Sequence, residues 1–517
     1  MIAMMANYLL YVMIRVCFTS LCFLVLLQAA VAQRKPNIVL FLVDDMGWQD
    51  CSVPFWSEVT PLNRRYHTPN MERLARDGMK FTNAYAAPVC SPSRISLMTG
   101  MNAARHRVTN WTLRKNASVD VADSVLAVPA WNVNGMSPVA GTERAVHATP
   151  LPILLQDAGY YTIHCGKAHF GAMETPAADP LNIGFNVNVA GHAAGGPGSF
   201  LGEQHYGNKG DGPTPPWGVP GLKKYHGTAT FLTEALTIEA LAALDKPVAE
   251  QNPFFLYMSH YAVHVPFAAD ERFIRKYRDM GLPEPEARYA AMVEGMDKSL
   301  GDIMDYLKKK KVDDNTVIIF MSDNGGYSGE GRGGQLYTHN LPLRAGKGSV
   351  YEGGIREPML VKWPGVVKPA SVCEQYLVIE DFFPTILGMA GANNKPTVQQ
   401  VDGKNFIPLL RDASIRDTAR ALVWHCPNKW LGSDEHGINF RSAIRQGNWK
   451  LVYNQKTGTK ELYNLQTDIG EQQDVSRRMP EVTQRLSRLL AGKLREYDAQ
   501  MPTVKKTMKP VPLPDQH

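Results

Sequence analysis

What this 517-residue chain lacks narrows it before any motif is read. It has no basic stripe interleaved with aromatic residues and no nucleic-acid-binding motif, which argues against a nucleic-acid partner. Its one lysine run, Lys308 to Lys311, closes a helical pattern and reads as a solvated helix end. Past the first 32 residues no apolar stretch reaches the roughly 20 residues that span a bilayer. There is no internal repeat. The formal charge of +6 is modest and leaves a small anionic substrate compatible. With 44% hydrophobic and 20% charged residues, the chain is neither disordered nor fibrous and has enough apolar material for a large core.

Residues 1–32 hold Arg15, an apolar stretch from Cys17 to Leu27, and then Ala30-Val31-Ala32. That is the form of a signal peptide with a small-x-small cleavage site, so export to a periplasm or the extracellular medium is expected. The alternative, an uncleaved anchor, has too short an apolar core. Of seven cysteines, Cys17 and Cys22 leave with the signal, and Cys51, Cys90, Cys165, Cys373 and Cys426 remain. An odd count in an exported protein asks which one is chemically special. The sequons at Asn110 and Asn116 matter only in a eukaryotic secretory pathway.

Ile38 to Val43 is a continuous apolar run suited to a strand buried on both faces, and it stops at Asp44-Asp45. Similar runs lie at Tyr160 to Ile163, Phe254 to Met258 and Val317 to Met321, separated by helical patterns at Met71 to Asp77, Ala229 to Leu244 and Glu286 to Lys311. Strands alternating with helices predict an α/β fold, a large mostly parallel sheet sandwiched by helices, with functional residues at the strand C-terminal ends. From about residue 401 a hairpin pattern at Ala443 to Tyr453 and an amphipathic helix at Pro480 to Tyr497 predict a small C-terminal α+β subdomain over 401–500. The predicted layout is therefore a signal at 1–32, a catalytic domain at 33–400, the subdomain, and a tail at 501–517 whose Lys- and Pro-rich end, Val504 to His517, reads as loosely ordered. Gly191 to Gly221 has no periodicity and reads as a long loop bordering the substrate.

Several short segments carry chemistry. Cys90-Ser91-Pro92-Ser93-Arg94 opens a helical pattern and puts Arg94 one turn beyond Cys90, so a helix N-terminus and a guanidinium are together available to an anion. Asp44-Asp45 and Asp323-Asn324 each end a buried run, and three carboxylates with an amide form an all-oxygen set that hard cations select. An irregular site of this kind favours calcium, with magnesium as the alternative. Taken singly, Cys90 can equally be a buried structural cysteine, and Lys167, His169, His264 and Lys347 ordinary loop residues.

Together they are not ordinary. The Cys90 segment resembles the C-x-P-x-R maturation signature of the type I sulfatases of the alkaline-phosphatase superfamily. Gly159 to Gly171 resembles that family's G-Y-x-T-x-x-x-G-K-x-H-x-G segment, with Ala168 where tryptophan is usual, and Gly346 to Gly354 resembles its G-K-G-x-x-x-E-G-G block. The resemblance runs from Pro36 to about Tyr497 and implies a sulfatase of alkaline-phosphatase-like fold acting on a sulfated saccharide. It implies that a formylglycine-generating maturation enzyme oxidises Cys90 to formylglycine (3-oxoalanine). One calcium ion is then held by Asp44, Asp45, Asp323, Asn324 and matured Cys90. Lys167, Lys347 and Arg94 hold sulfate, His169 assists proton transfer, and His264 protonates the leaving oxygen, a role for which histidine needs no large pKa shift.

His339, Asn340 and His425 are further candidates for substrate binding, with loop or capping roles as the alternative. Trp424 to Pro427 and Asp434-Glu435-His436 are candidates for a sugar pocket. Gly47 to Asp50 with Pro61 to Asn63 resembles exo-acting sulfatases for galactose or N-acetylgalactosamine, with O4 as the expected position. The competing readings are a phosphodiester or phosphonate monoester hydrolase of the same superfamily and a non-catalytic sulfated-glycan-binding protein.

Overall fold

A computed structural model describes residues 34–209, 214–431 and 435–516, with Met1, Met4, Met5, Tyr8, Tyr11 and Met13. The core of the expected signal, its Ala30-Val31-Ala32 site, and Asp434 lie outside the described residues. No helix among the described residues is long and apolar enough to cross a membrane.

The main sheet has nine strands: β1 (Asn37–Val43), β2 (Met79–Tyr85), β3 (Tyr161–Gly166), β4 (Val187–Val189), β5 (Phe254–Ser259), β6 (Thr316–Ser322), β7 (Arg356–Lys362), β8 (Ser371–Cys373) and β9 (Leu377–Val378). Their order is β8-β2-β7-β6-β1-β5-β3-β4, with β9 also on β2. β1 is parallel to both neighbours, β5 and β6, and only β7 runs against its neighbours. β7, absent from the sequence reading as β2 is, turns an otherwise parallel sheet into a mixed one.

Alternation along β1 divides the core. Val39, Phe41 and Val43 join one cluster, while Ile38, Leu40 and Leu42 join the other. On the first face lie α3 (Leu232–Ala249) and α4 (Glu284–Lys309), represented by Leu236, Leu244, Met292 and Leu300. On the second lie α2 (Cys90–Thr99) and α6 (Phe382–Met389), through Ile95, Leu97, Phe382 and Ile386. α1 (Pro69–Asp77) flanks α4, and α5 (Glu352–Ile355) is the short turn feeding β7. A strand covered on both faces must be apolar throughout, which is why these runs lack alternation.

The C-terminal subdomain is a four-stranded antiparallel sheet, β10 (Ala421–Cys426), β11 (Arg441–Gln446), β12 (Trp449–Asn454) and β13 (Lys460–Asn464), with α7 (Pro480–Glu496) on one face. Ile444, Leu451 and Leu462 meet Leu486, Leu490 and Leu494 on that face. The other face meets the catalytic body through Trp424, Ala443 and Val452 against Tyr85, Val350 and Ile355. Lys450 crosses the seam fully buried, 2.8 Å from both Glu352 and Glu471.

The tail departs from expectation. Thr503–Val504 pairs with Leu126–Ala127, the Lys505 ammonium donates to the Asp123 carbonyl at 2.7 Å, and the Tyr453 hydroxyl donates to the Pro512 carbonyl at 2.7 Å. Backbone pairing and a buried Val511 hold what composition alone reads as loose. Among the described residues the five cysteines, Cys51, Cys90, Cys165, Cys373 and Cys426, are all unpaired. Asn110 is buried with its amide on Asp120, so the first sequon offers no acceptor for a glycan.

Candidate active site

The site lies where β1, β3, β5 and β6 end. Adjacent side chains on a strand point to opposite faces, so Asp44 and Asp45 converge only because the strand stops: Asp45 takes a left-handed backbone at φ 61°. The Asp323 amide still donates to the Val43 carbonyl at 2.9 Å, aligning the two strand ends. Gly325 then lets the chain pass the Gly353 carbonyl, which would stand 2.0 Å from any Cβ there. Oxygens of Asp44, Asp45 and Asp323 consequently lie within 4.8 Å of one another, all buried.

Two acceptors in this cluster have nothing to accept. The Asn324 amide donates to Asp45 at 2.8 Å, leaving its buried carbonyl oxygen unpartnered, and Asp44 Oδ1 is likewise enclosed without a donor. Orphaned buried acceptors are rare, and a set of oxygens alone is what a hard cation fills. The residues therefore fit a calcium- or magnesium-type ion. Burial and the neighbouring Asp323 carboxylate push the Asp44 carboxyl well above its ordinary range. Burial acts on Asp45 too, but there Lys347, His264 and Lys167 win and hold it below its ordinary range.

Cys90 is the first residue of α2, a helix buried at every position. Burial raises its thiol pKa, more than Lys167 and Lys347 lower it. Arg94 sits one turn on, fully enclosed; its Nε donates to Asp323 at 2.8 Å and its Nη1 to the Lys167 carbonyl at 3.0 Å and Ser259 at 2.5 Å. The guanidinium holds a carboxylate and two strand ends through Nε and Nη1, while its buried Nη2 has no hydrogen-bond partner and stays available for the expected sulfate contact.

Lys167 and Lys347 reach the two aspartates from different loops. The Lys167 ammonium is 2.6 Å from Asp44, and that of Lys347 is 2.8 Å from Asp45. His169 does not continue an extended strand beyond Lys167, because its backbone turns left-handed at φ 57°. Its Nε2 lies 2.8 Å from the Thr112 carbonyl and 3.1 Å from the Ser91 hydroxyl, while Nδ1 has no partner. His264 Nδ1 meets the Val265 carbonyl at 2.7 Å, and Nε2 lies 3.7 Å from Asp45. Burial, then Lys347, lower its pKa to about 3, so the expectation of an unshifted histidine fails for the free site. An anion bound beside it would reverse the balance by adding charge that favours the protonated ring.

The glycine-rich loop does border the site. A Cβ at Gly195 would stand 2.4 Å from the His169 ring, and one at Gly196 would stand 2.7 Å from the His264 ring. Only glycine lets the loop lie flat on both histidines.

Three expected substrate contacts are committed elsewhere. His425 has Nδ1 on Ser442 and Nε2 on the Gln500 carbonyl, and is buried. His339 is held by Ser328 and the Gly333 carbonyl. The Asn340 amide ties the carbonyls of Gly326 and Ala345, clipping the loop that carries Lys347. These correct the substrate-binding role expected of them. Conversely, Ser91, Thr112 and Ser259 went unnoticed as functional groups. Ser91 lies inside the C-x-P-x-R segment, which was a usable signal; nothing in the sequence marks the Thr112 carbonyl.

Comparison with known proteins agrees with this geometry. The sulfatase family model matches residues 36–392, and the N-sulphoglucosamine sulphohydrolase C-terminal model matches residues 346–500. The chain is 32% identical to human N-acetylgalactosamine-6-sulfatase, covering 92% of this chain and 88% of that protein. It is 31% identical to a sulfatase of Formosa agariphila, covering 85% of this chain and 84% of the other. The crystal structure of Ps i-CgsB superposes with a TM-score of 0.69 at 27% identity, covering 90% of this chain and 92% of that one. A phosphonate monoester hydrolase from Silicibacter pomeroyi, at 20% identity and TM-score 0.61, shares the fold alone. The chain belongs to the sulfatase family, type I sulfatases of the alkaline-phosphatase superfamily. It is a sulfuric ester hydrolase.

Proposed function

We propose that this enzyme removes sulfate, in exo fashion, from a galactose-type unit of a sulfated saccharide, with formylglycine formed from Cys90 and one calcium ion. The observation that carries this is the buried cluster in which Lys167–Asp44 and Lys347–Asp45 flank Cys90, with two acceptor oxygens left over. A thiol at Cys90 would be a poor nucleophile, since burial raises its pKa. Oxidation to formylglycine, hydrated in water, supplies a hydroxyl in its place. Asp44, Asp45, Asp323 and Asn324 would hold the cation, which supplies Lewis-acid polarisation.

Three carboxylates facing the permanent charges of Arg94, Lys167 and Lys347 form a nearly neutral set. A dication would give it a net charge of about +2, a positive field for the singly charged sulfate ester and for the charge that builds on its leaving oxygen. Lys167 and Lys347 would turn toward the sulfuryl oxygens as the cation takes over their aspartates, giving a preorganised positive cage. Arg94 keeps Asp323 in place. His264 would carry a proton to the departing sugar oxygen, and His169 Nδ1, free of other partners, would take one back from the nucleophile.

The relatives named N-acetylgalactosamine-6-sulfatase make O6 of that sugar the first substrate to try, with O4 second. A neighbouring structure holds k-i-k-neocarrahexaose, which keeps sulfated galactans in the panel. The leader at residues 1–32 supports export to the periplasm or the extracellular medium, with a formylglycine-generating enzyme as maturation partner.

The test is inorganic sulfate release from sulfated mono- and disaccharides, with a phosphodiester in parallel. The protein is co-expressed with a formylglycine-generating enzyme, and Cys90→Ala is the control. Conversion of Cys90 is read by peptide mass, and activity after chelation is followed as calcium or magnesium is returned. Sulfate release only with converted Cys90, restored by calcium, is the expected result. Turnover of the phosphodiester alone by converted protein would sink the reading.

A further inference from the structure

We propose that Trp111 and Trp217 form an aromatic subsite for the sugar next to the sulfated one. The proposal rests on the saccharide reading above and adds where the second ring of the substrate sits. Two stretches of chain meet here. Trp111 directly precedes Thr112, whose backbone is fixed on the reaction side: its amide donates to Ser91 at 3.1 Å and its carbonyl contacts His169 at 2.8 Å. Trp217 comes from the glycine-rich loop, and its carbonyl accepts from the Gly198 amide at 2.5 Å. Gly198 is two residues from Gly196, which lies on the His264 ring. Two residues of chain reach at most about 7 Å, roughly one pyranose ring beyond the histidines.

The rings of Trp111 and Trp217 adjoin at 6.3 Å between centroids with a 49° tilt, and Trp217 remains 38% exposed. The loop gives Trp217 little freedom to fold away, since Gly198 and Gly207 pass with backbone contacts that leave no room for a side chain. Val219, two residues past Trp217, also donates to the Tyr206 carbonyl at 3.2 Å. A pair of indoles without formal charge, whose Trp111 Nε1–H is buried and has no partner, is less suited to sulfate than the lysine cage is. It is well matched to the C–H face of a neutral pyranose, whose slightly positive hydrogens meet the negative faces of the rings. The division of labour follows: the charged centre takes the sulfated unit, and the indole pair takes its neighbour.

The experiment compares N-acetylgalactosamine 6-sulfate with a disaccharide carrying the same unit at its non-reducing end, on wild type, Trp217→Ala and Trp217→Phe. The ratio of kcat/KM for disaccharide over monosaccharide should fall about 2- to 12-fold in Trp217→Ala, the span of one aromatic contact. The loss should sit in KM, and Trp217→Phe should restore most of it. An unchanged ratio, or an equal fall on both sugars, overturns the subsite. If wild type hydrolyses neither sugar, the substrate reading has failed instead. Calorimetric binding of the unsulfated disaccharide against the unsulfated monosaccharide then decides the subsite separately. Preference for the disaccharide, lost in Trp217→Ala, supports it; no preference in wild type overturns it.

Discussion

The centre around Asp44, Asp45 and Asp323 and the three residues His339, Asn340 and His425 are built from the same kinds of side chain, yet they are bonded to very different degrees. At His339 and His425 both ring nitrogens are bonded to neighbouring backbone or hydroxyl groups, and the Asn340 amide nitrogen is bonded to two carbonyls, with its buried Oδ1 left over. In the centre, Asp44 Oδ1, Asn324 Oδ1 and His169 Nδ1 are buried and unpartnered, and like charges crowd together. A folded chain tolerates that cost where something else binds. Satisfaction, more than residue type, separates the chemical group from the structural one.

Breaking the centre should therefore cost activity far more than stability. The largest effect is expected for Asp45→Ala, which removes a cation ligand and releases both Lys347 and Asn324. The expected outcome is loss of sulfate release by about 10³-fold or more, with calcium no longer shifting the melting temperature. Lys347→Ala should cost roughly 10²–10³-fold in kcat, as for loss of one preorganised donor. Steady-state kinetics on a converted preparation checks it, and retention of the calcium-dependent melting shift would separate lost sulfate binding from lost metal binding.

Breaking the bonds of the three committed residues should do the reverse. Asn340→Ala removes the side-chain donor to the Ala345 carbonyl and leaves the Gly326 carbonyl with the Lys347 amide alone, a cost of about 1–3 kcal/mol in stability. Activity should fall by less than in Lys347→Ala, since the change acts only through the Lys347 loop. Urea unfolding and kcat measured on the same sample decide the order; a fully inactive but equally stable variant would undo the comparison.

The sequence made most of the centre legible because its ligands sit in short segments that end apolar runs, so a strand pattern and a motif coincide at one residue. Asp44-Asp45 after Ile38 to Val43 and Asp323-Asn324 after Val317 to Met321 are such coincidences. The parallel sheet was legible for the same reason. β7 was not, since Arg356 and Glu357 break the apolar run in its first two residues. The tail's order depends on partners some 380 residues away, at Asp123 to Ala127, which no local window reveals. Arg94 shows the limit of a motif: the segment gives its neighbours, but only the fold shows that Asp323 takes its charge.

The smallest expected effect tests whether His425 is structural through its titration. Burial lowers its pKa to about 4 from an ordinary value of 6.5. The unfolded chain therefore binds a proton there between pH 6.5 and 4 that the folded chain refuses, and stability from this residue falls as pH drops through that window. At pH 7 the neutral ring is fully compatible with its bonds to Ser442 and Gln500, and replacing it costs those contacts. His425→Gln should thus be less stable than wild type at pH 7, by about 1–2 kcal/mol for the lost bonds. It should lose less stability than wild type on going from pH 6.5 to pH 4, so the two urea midpoints converge in acid. Parallel curves would mean that the ring titrates normally, which requires it to be exposed and would reopen a role for it in binding substrate.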